Sequence, residues 1–241
     1  SFLCKSNQLT SQCLHHPEQE ALRTKLLGSP LHFTRVYYKL RTGRDFIISE
    51  PIGREPHIIT IYRHLVKVFI GEIQFLNINI PPRYGKTEAI IHFIAWCLGR
   101  YPDSNFIYAS YSHSLAAKQT QIIRSIIEMP EYHKIMGVQV NPDISAKDNF
   151  ETLNGGSVFG AGAMGPITGR GAGIKGMEKR FGGCVVIDDI HKPAEVISDS
   201  MRQSVIEWYS NTLISRLNNP AKTPTSRRRF GRAPYRKTRL A

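Results

Sequence analysis

Two short groups of residues in this sequence could do phosphate chemistry together. The first is Gly85-Lys86-Thr87, reached through Pro81-Pro82-Arg83-Tyr84. Glycine lets the backbone approach an anion, lysine neutralises phosphate oxygens, and a threonine hydroxyl can hold a divalent cation. The second is Asp188-Asp189, two adjacent carboxylates about a hundred residues later. In such a pair the first acid can hold Mg²⁺ and the second can orient and deprotonate an attacking water. Each group also has a plainer meaning: Gly-Lys-Thr can mark a strand–turn–helix junction, and Asp-Asp a turn or a helix cap.

What favours the chemical reading is the pair of elements that would position these groups. The run Phe75-Leu76-Asn77-Ile78-Asn79-Ile80 predicts a buried strand that delivers the loop. Ile80 stands where the pattern G-x-x-x-x-G-K-[ST] has its first glycine, and Pro81 and Pro82 impose the turn by stiffness instead. Residues 87–98 are helix-compatible and largely apolar, with Gly99 as the expected stop, so the helix points its free N–H groups and positive dipole end at the phosphates. Cys184-Val185-Val186-Ile187 is a continuous apolar strand ending in the two carboxylates. Both groups then fall at strand C-terminal ends, where α/β proteins bind ligands.

The remaining chain supplies alternating elements. Ile58, Ile61, Leu65, Val68 and Phe69 recur at helical spacing between Pro56 and Gly71. Asn105 to Tyr111 reads as a second strand, followed by a helix capped at Ser112 or Ser114, running to Glu128 and ended by Pro130. Strand, helix, strand, helix predicts a parallel sheet with right-handed crossovers. Asn154-Gly155-Gly156 marks a hairpin turn. The glycine-rich stretch from Gly160 to Gly176, which contains Thr168 and Arg170, suits either a mobile loop beside a ligand or a surface linker. A long helix is expected from Pro193 through Trp208 to Leu217, interrupted or recapped at Ser198.

Composition narrows the class. The chain has 241 residues, 41% hydrophobic and 21% charged, enough for one α/β core with appendages. No apolar run approaches the ~18 residues of a membrane span. Net charge is +13, which favours an acidic polymer such as nucleic acid, but residues 221–241 supply +8 of it and contain no acid. This Ser/Thr/Pro-rich basic segment is expected to be disordered. Cys4, Cys13, Cys97 and Cys184 have no C-x-x-C spacing and suit a reducing cytoplasm. A zinc site from Cys4, Cys13, His15 and His16 matches no known finger spacing and is discarded. The expected organisation is an N-terminal arm over 1–55, a nucleotide-binding domain over 56–220 and a basic tail over 221–241.

Taken together, the residues resemble the ATPase half of tailed-phage terminase large subunits, the DNA-packaging motor proteins. The resemblance spans about residues 56–220 and rests on five pieces in order. They are Pro81-Pro82-Arg83-Tyr84-Gly85-Lys86-Thr87; Tyr108-Ala109-Ser110-Tyr111-Ser112 with Leu115-Ala116; Thr168-Gly169-Arg170-Gly171; Val186-Ile187-Asp188-Asp189; and Trp208 before Ser215-Arg216-Leu217. The resemblance implies a P-loop ATPase of the additional-strand type, with a parallel sheet sandwiched by helices. It implies ATP and Mg²⁺ as cofactors, with Pro82 to Thr87 cradling the nucleotide and Thr87 and Asp188 holding the metal. Asp189 would position water, Arg83 would approach the γ-phosphate, and Arg170 would act as an arginine finger in cis or from a neighbouring subunit. Double-stranded DNA, a capsid portal protein, a terminase small subunit and a homo-oligomeric ring are the implied partners. The implied location is the cytoplasm of a bacterial host, transiently at the procapsid portal.

Family members continue into a further strand and a nuclease domain with clustered metal-binding acids. Here no acid follows Glu207, and the composition changes at Ala221. The sheet is therefore expected to be incomplete at its C-terminal side, and the chain to be a truncated or frameshifted product. Two other readings are a helicase-like ATPase, which would need a second nucleotide-facing domain, and an inactive remnant that binds ATP or nucleic acid. The purified chain should not cut supercoiled plasmid in the presence of divalent metal. Metal-dependent cleavage would contradict that expectation.

Overall fold

The computed structural model describes residues 17–49, 53–167, 169–174, 180–191 and 198–218. The discarded terminal cysteine–histidine group, Thr168, the expected helix start at Pro193 and the basic segment 221–241 lie outside them. The helices are α1 (Pro17–Gly28), α2 (Pro30–Thr42), α3 (His57–Phe69), α4 (Lys86–Arg100), α5 (His113–Ile127), α6 (Pro130–Met136) and α7 (Asp199–Trp208). A π-helical turn, Tyr209–Leu213, and a 3₁₀ turn, Ile214–Arg216, extend α7. The strands are β1 (Asn105–Ser110), β2 (Val140–Ser145), β3 (Asn149–Thr152), β4 (Ser157–Gly162) and β5 (Val185–Asp188).

These strands form one sheet in the order β2-β3-β4-β1-β5. β1 lies parallel to both β4 and β5, but β3 pairs antiparallel with β2 and β4. The sheet is mixed, which corrects the all-parallel expectation. The cause is the hairpin across Leu153-Asn154-Gly155-Gly156, where Gly155 takes φ +84° and reverses the chain between neighbouring strands. No residue from Leu76 to Ile80 belongs to a described strand, which corrects the buried strand expected before the loop. Asn77 and Asn79 are exposed while Leu76, Ile78 and Ile80 pack against the core, so the segment is half-buried. Two consecutive prolines then follow, and neither has an N–H to donate to a ladder.

Side chains of the parallel strands alternate between two apolar layers. Phe106 and Tyr108 enter one layer with α4, α5, Val158 and Val186; Ile107 and Ala109 enter the other with Val185, Trp208 and Leu213. This period of two is what a strand buried on both faces requires. Leu26, Phe33 and Tyr37 of α1 and α2 are fully buried in the first layer, so the described part of the N-terminal arm shares the central core. Leu26 and Phe33 each contribute about 1.5–3 kcal/mol by leaving water.

α4 is buried on nearly every side from Ala89 to Gly99, as expected of a helix that is apolar all round. It does not stop at Gly99 but continues to Arg100. A Cβ at Gly99 would lie 3.2 Å from the Tyr132 hydroxyl and from the Met136 sulfur, so this glycine serves helix packing, not termination. At the entry to β5, Gly183 has φ +117°, and a Cβ there would sit 1.9 Å from the Asn105 carbonyl oxygen. Only glycine lets β5 pass this close to the start of β1.

His92 lies in the middle of α4 with no exposed surface. Burial outweighs its hydrogen bond to the Glu88 carbonyl and, with the Arg41 charge, pushes its pKa from 6.5 down to about 4. Between these values the unfolded chain binds a proton that the folded chain refuses. Stability from neutral His92 is therefore complete above pH 6.5 and is lost as pH falls toward 4, by on the order of 3 kcal/mol. Urea unfolding of the parent should weaken more steeply across this window than unfolding of His92→Asn, which keeps a donor for the Glu88 carbonyl. Parallel profiles would contradict the assignment.

Candidate phosphate-binding site

The loop before α4 is shaped by backbone conformation and by α3 behind it. Arg83 and Gly85 both have positive φ, +68° and +81°. A left-handed conformation costs a non-glycine residue about 1–2 kcal/mol, so Arg83 is held there by its surroundings. A Cβ on Gly85 would also meet Ile58 of α3 at 3.2 Å. The His57 Nε2 lies 3.0 Å from the Tyr84 carbonyl oxygen, and the two rings meet edge to face. Ala89 N–H donates to the Gly85 carbonyl as the first helical bond, so the N–H groups ahead of it face the loop's concave side.

β5 brings the carboxylates to the same place. Asp188 is in register with Ser110 of β1, and Tyr111 N–H donates to the Asp189 carbonyl oxygen at 3.1 Å. Asp189 has φ +45°, which turns the chain away from the sheet, and its side chain is 63% exposed against 12% for Asp188. Aspartate is one of the few residues that tolerate this backbone region.

The two groups meet directly. Lys86 Nζ lies 2.9 Å from Asp188 Oδ1 and 3.2 Å from Asp189 Oδ1. The Thr87 hydroxyl donates to Asp188 Oδ2 at 3.2 Å, and the Tyr108 hydroxyl donates to the same oxygen at 2.8 Å. Partial burial works against the Lys86 charge, but hydrogen bonding and attraction from Asp188, then Asp189, outweigh it and raise its pKa above the ordinary lysine value. Lys86 stays cationic. Burial, then the charge of Asp188, raises the Tyr108 pKa well above that of an ordinary phenol, so it remains a donor.

A cleft of about 770 Å³ opens over these groups. Pro82, Arg83, Tyr84, Gly85, Lys86, Thr87, Asp188 and Asp189 all border it, so all these sequence candidates converge. Its volume is in the range of small-molecule sites. Thr87 Oγ1 and Asp188 Oδ2 are hard oxygen donors at neighbouring positions, a set that suits Mg²⁺ better than a softer metal. No cluster of three or more His, Cys, Asp or Glu suited to a metal exists among the described residues. A cation held by Thr87 and Asp188 would complete its shell with phosphate and water oxygens, as Mg²⁺ commonly does.

Arg170 is not brought to this cleft. Its Nη1 lies 2.8 Å from Glu151 Oε1 of β3, and its guanidinium sits over the Phe159 ring of β4. The described part of the glycine-rich stretch does not border the cleft either. Gly160 and Gly162 belong to β4 and pack against α5 and His113, while Ala172 is fully buried and pairs with Leu217. For the described part of the stretch this corrects both expectations, the mobile loop beside a ligand and the surface linker. Three contributors escaped sequence reasoning: Tyr108 beneath Asp188, His57 behind the loop, and Phe46 in the cleft wall. Only Tyr108 had a signal, since a tyrosine inside a buried strand needs an acceptor for its hydroxyl.

Lys86 is the shared counter-charge of two adjacent carboxylates. Lys86→Met should lower unfolding stability by about 2 kcal/mol, the scale of charged hydrogen bonds in partly buried sites. Equal stability in a urea titration would show that the lysine is held only loosely. In comparisons with known proteins, no family model matches the sequence and no curated protein matches it.

Proposed function

We propose that this chain is an ATP-hydrolysing domain of the terminase large-subunit type, with the P-loop fold of the additional-strand class, coupling hydrolysis to movement of double-stranded DNA. The observation that carries the reading is the meeting of Lys86 and Thr87 with Asp188 and Asp189 across about a hundred residues of sequence. An α/β sheet with helices on both faces is compatible with this reading without being specific to it. The sequence pieces quoted above supply the rest.

On this reading the triphosphate enters the cleft with its β- and γ-phosphates over the N-terminus of α4. The loop N–H groups and the helix dipole stabilise the phosphate charge. Lys86 exchanges its carboxylate partners for phosphate oxygens, and Arg83 approaches the γ-phosphate from the exposed side of the loop. Mg²⁺, held by Thr87 and Asp188, supplies charge neutralisation for the transferring phosphoryl group. Asp189, freed from Lys86 and open to solvent, orients a water for in-line attack on the γ-phosphorus and accepts its proton, while the bond to the β–γ bridging oxygen breaks and ADP leaves. Arg170 would serve a neighbouring subunit's nucleotide in an oligomeric ring, which requires it to leave Glu151. A portal protein and a terminase small subunit are the proposed protein partners.

Asp189→Asn should lower kcat by about 100-fold or more while leaving nucleotide affinity nearly intact. Lys86→Ala should weaken nucleotide binding as well as turnover. Phosphate release measured on both variants tests the assignment, and ATP turnover that survives both substitutions would refute it.

A further inference from the structure

Tyr108 belongs to the Tyr-Ala-Ser-Tyr-Ser segment, which the mechanism above leaves without a role. It lies in β1, in register with Val186, and has no exposed surface. Its hydroxyl donates to Asp188 Oδ2 at 2.8 Å. Two other buried tyrosines behave differently: the Tyr132 hydroxyl donates to the Ala95 carbonyl, and the Tyr37 hydroxyl has no hydrogen-bond partner among the described residues. Tyr108 instead spends its one donor on a carboxylate of the cleft.

We propose that Tyr108 is the positioning residue of the metal-binding carboxylate, an inference that rests on the nucleotide reading. Asp188 has three side-chain partners among the described residues: Lys86, Thr87 and Tyr108. Lys86 and Thr87 stand in the cleft wall, where nucleotide and metal recruit them. Tyr108 is fixed by the β1 ladder and by the apolar layer it shares with Phe106 and Val186, and it does not border the cleft. Its contact therefore persists when the other two change partners. The phenolic proton occupies one lone pair of Oδ2 and stops the carboxylate from rotating. The remaining lone pairs stay directed toward Thr87 and Lys86. Hydrogen bonds of this kind to a metal ligand are worth about 10–100-fold in metal affinity.

The test is titration of the 241-residue chain with a fluorescent ATP analogue, once in EDTA and once in excess Mg²⁺. Tyr108→Phe removes one hydroxyl and little volume. It should bind the analogue in EDTA like the parent but lose about 10-fold of the strengthening that Mg²⁺ gives the parent. In an Asp188→Asn background the same substitution should have no further effect, because the group it positions has changed. Parental Mg²⁺ strengthening in Tyr108→Phe overturns the proposal. So does an equal loss of affinity with and without metal, which assigns Tyr108 to folding alone. Failure of the parent to bind the analogue under either condition overturns the nucleotide reading itself and the proposal with it.

Discussion

The arrangement turns on one cation between two carboxylates. Lys86 opens α4, while Asp188 and Asp189 close β5, and the three meet within 3.2 Å in a partly buried cleft. Two like charges on adjacent residues repel, and a shared lysine offsets that repulsion. The same contact ties the loop to the sheet. Under the proposed reading it is also exchangeable: a triphosphate offers Lys86 more negative charge than the carboxylates do, and its departure leaves Asp188 for metal and Asp189 for water.

Such an exchange needs a frame that stays fixed while the cleft side chains change partners. The two apolar layers provide it. Close packing of Phe106, Tyr108 and Val186 against α4 and α5 fixes the height of the β5 end relative to the start of α4. Gly183 allows β5 to enter beside Asn105, and Gly85 allows the loop to turn against Ile58. Behind α4, Arg41 of α2 pairs with Glu88 at 2.6 Å, tying the described N-terminal helices to the first turn of the same helix. Of the three described non-glycine residues with positive φ, Arg83 and Asp189 border the cleft and Met164 does not. Backbone strain of this kind is expected where geometry serves binding more than stability.

Much of this was readable from residue types. The helical spacing of Ile58 to Phe69, a cap at Ser112 or Ser114, the strand at Asn105 and the apolar run ending at Asp188 all have local causes, and the structure has them in place with Ser112 as the cap. The convergence of Gly-Lys-Thr with Asp-Asp was readable because each group marks the end of a recognisable element. What failed were inferences that depend on distant partners. Gly99 carries the stop signal of a helix, yet Tyr132 and Met136 make it a packing glycine. The run at Leu76 to Ile80 has the composition of a strand, but strand formation requires a neighbouring edge, and local composition does not specify one. The glycines at 160 and 162 read as loop because a glycine in a strand facing a helix looks the same in sequence as one in a turn. Tyr108 could not be aimed at Asp188 before the register of β1 against β5 was known.

The central claim is that one triphosphate engages the loop and the strand end together. Amide hydrogen exchange of the 241-residue chain, with and without ATP and Mg²⁺, measures both segments in one experiment. Slowed exchange is expected at residues 82–90 and at residues 186–190 together, with little change at Glu151 or Phe159. Protection confined to one of the two segments, or exchange unchanged by nucleotide at both, would contradict it.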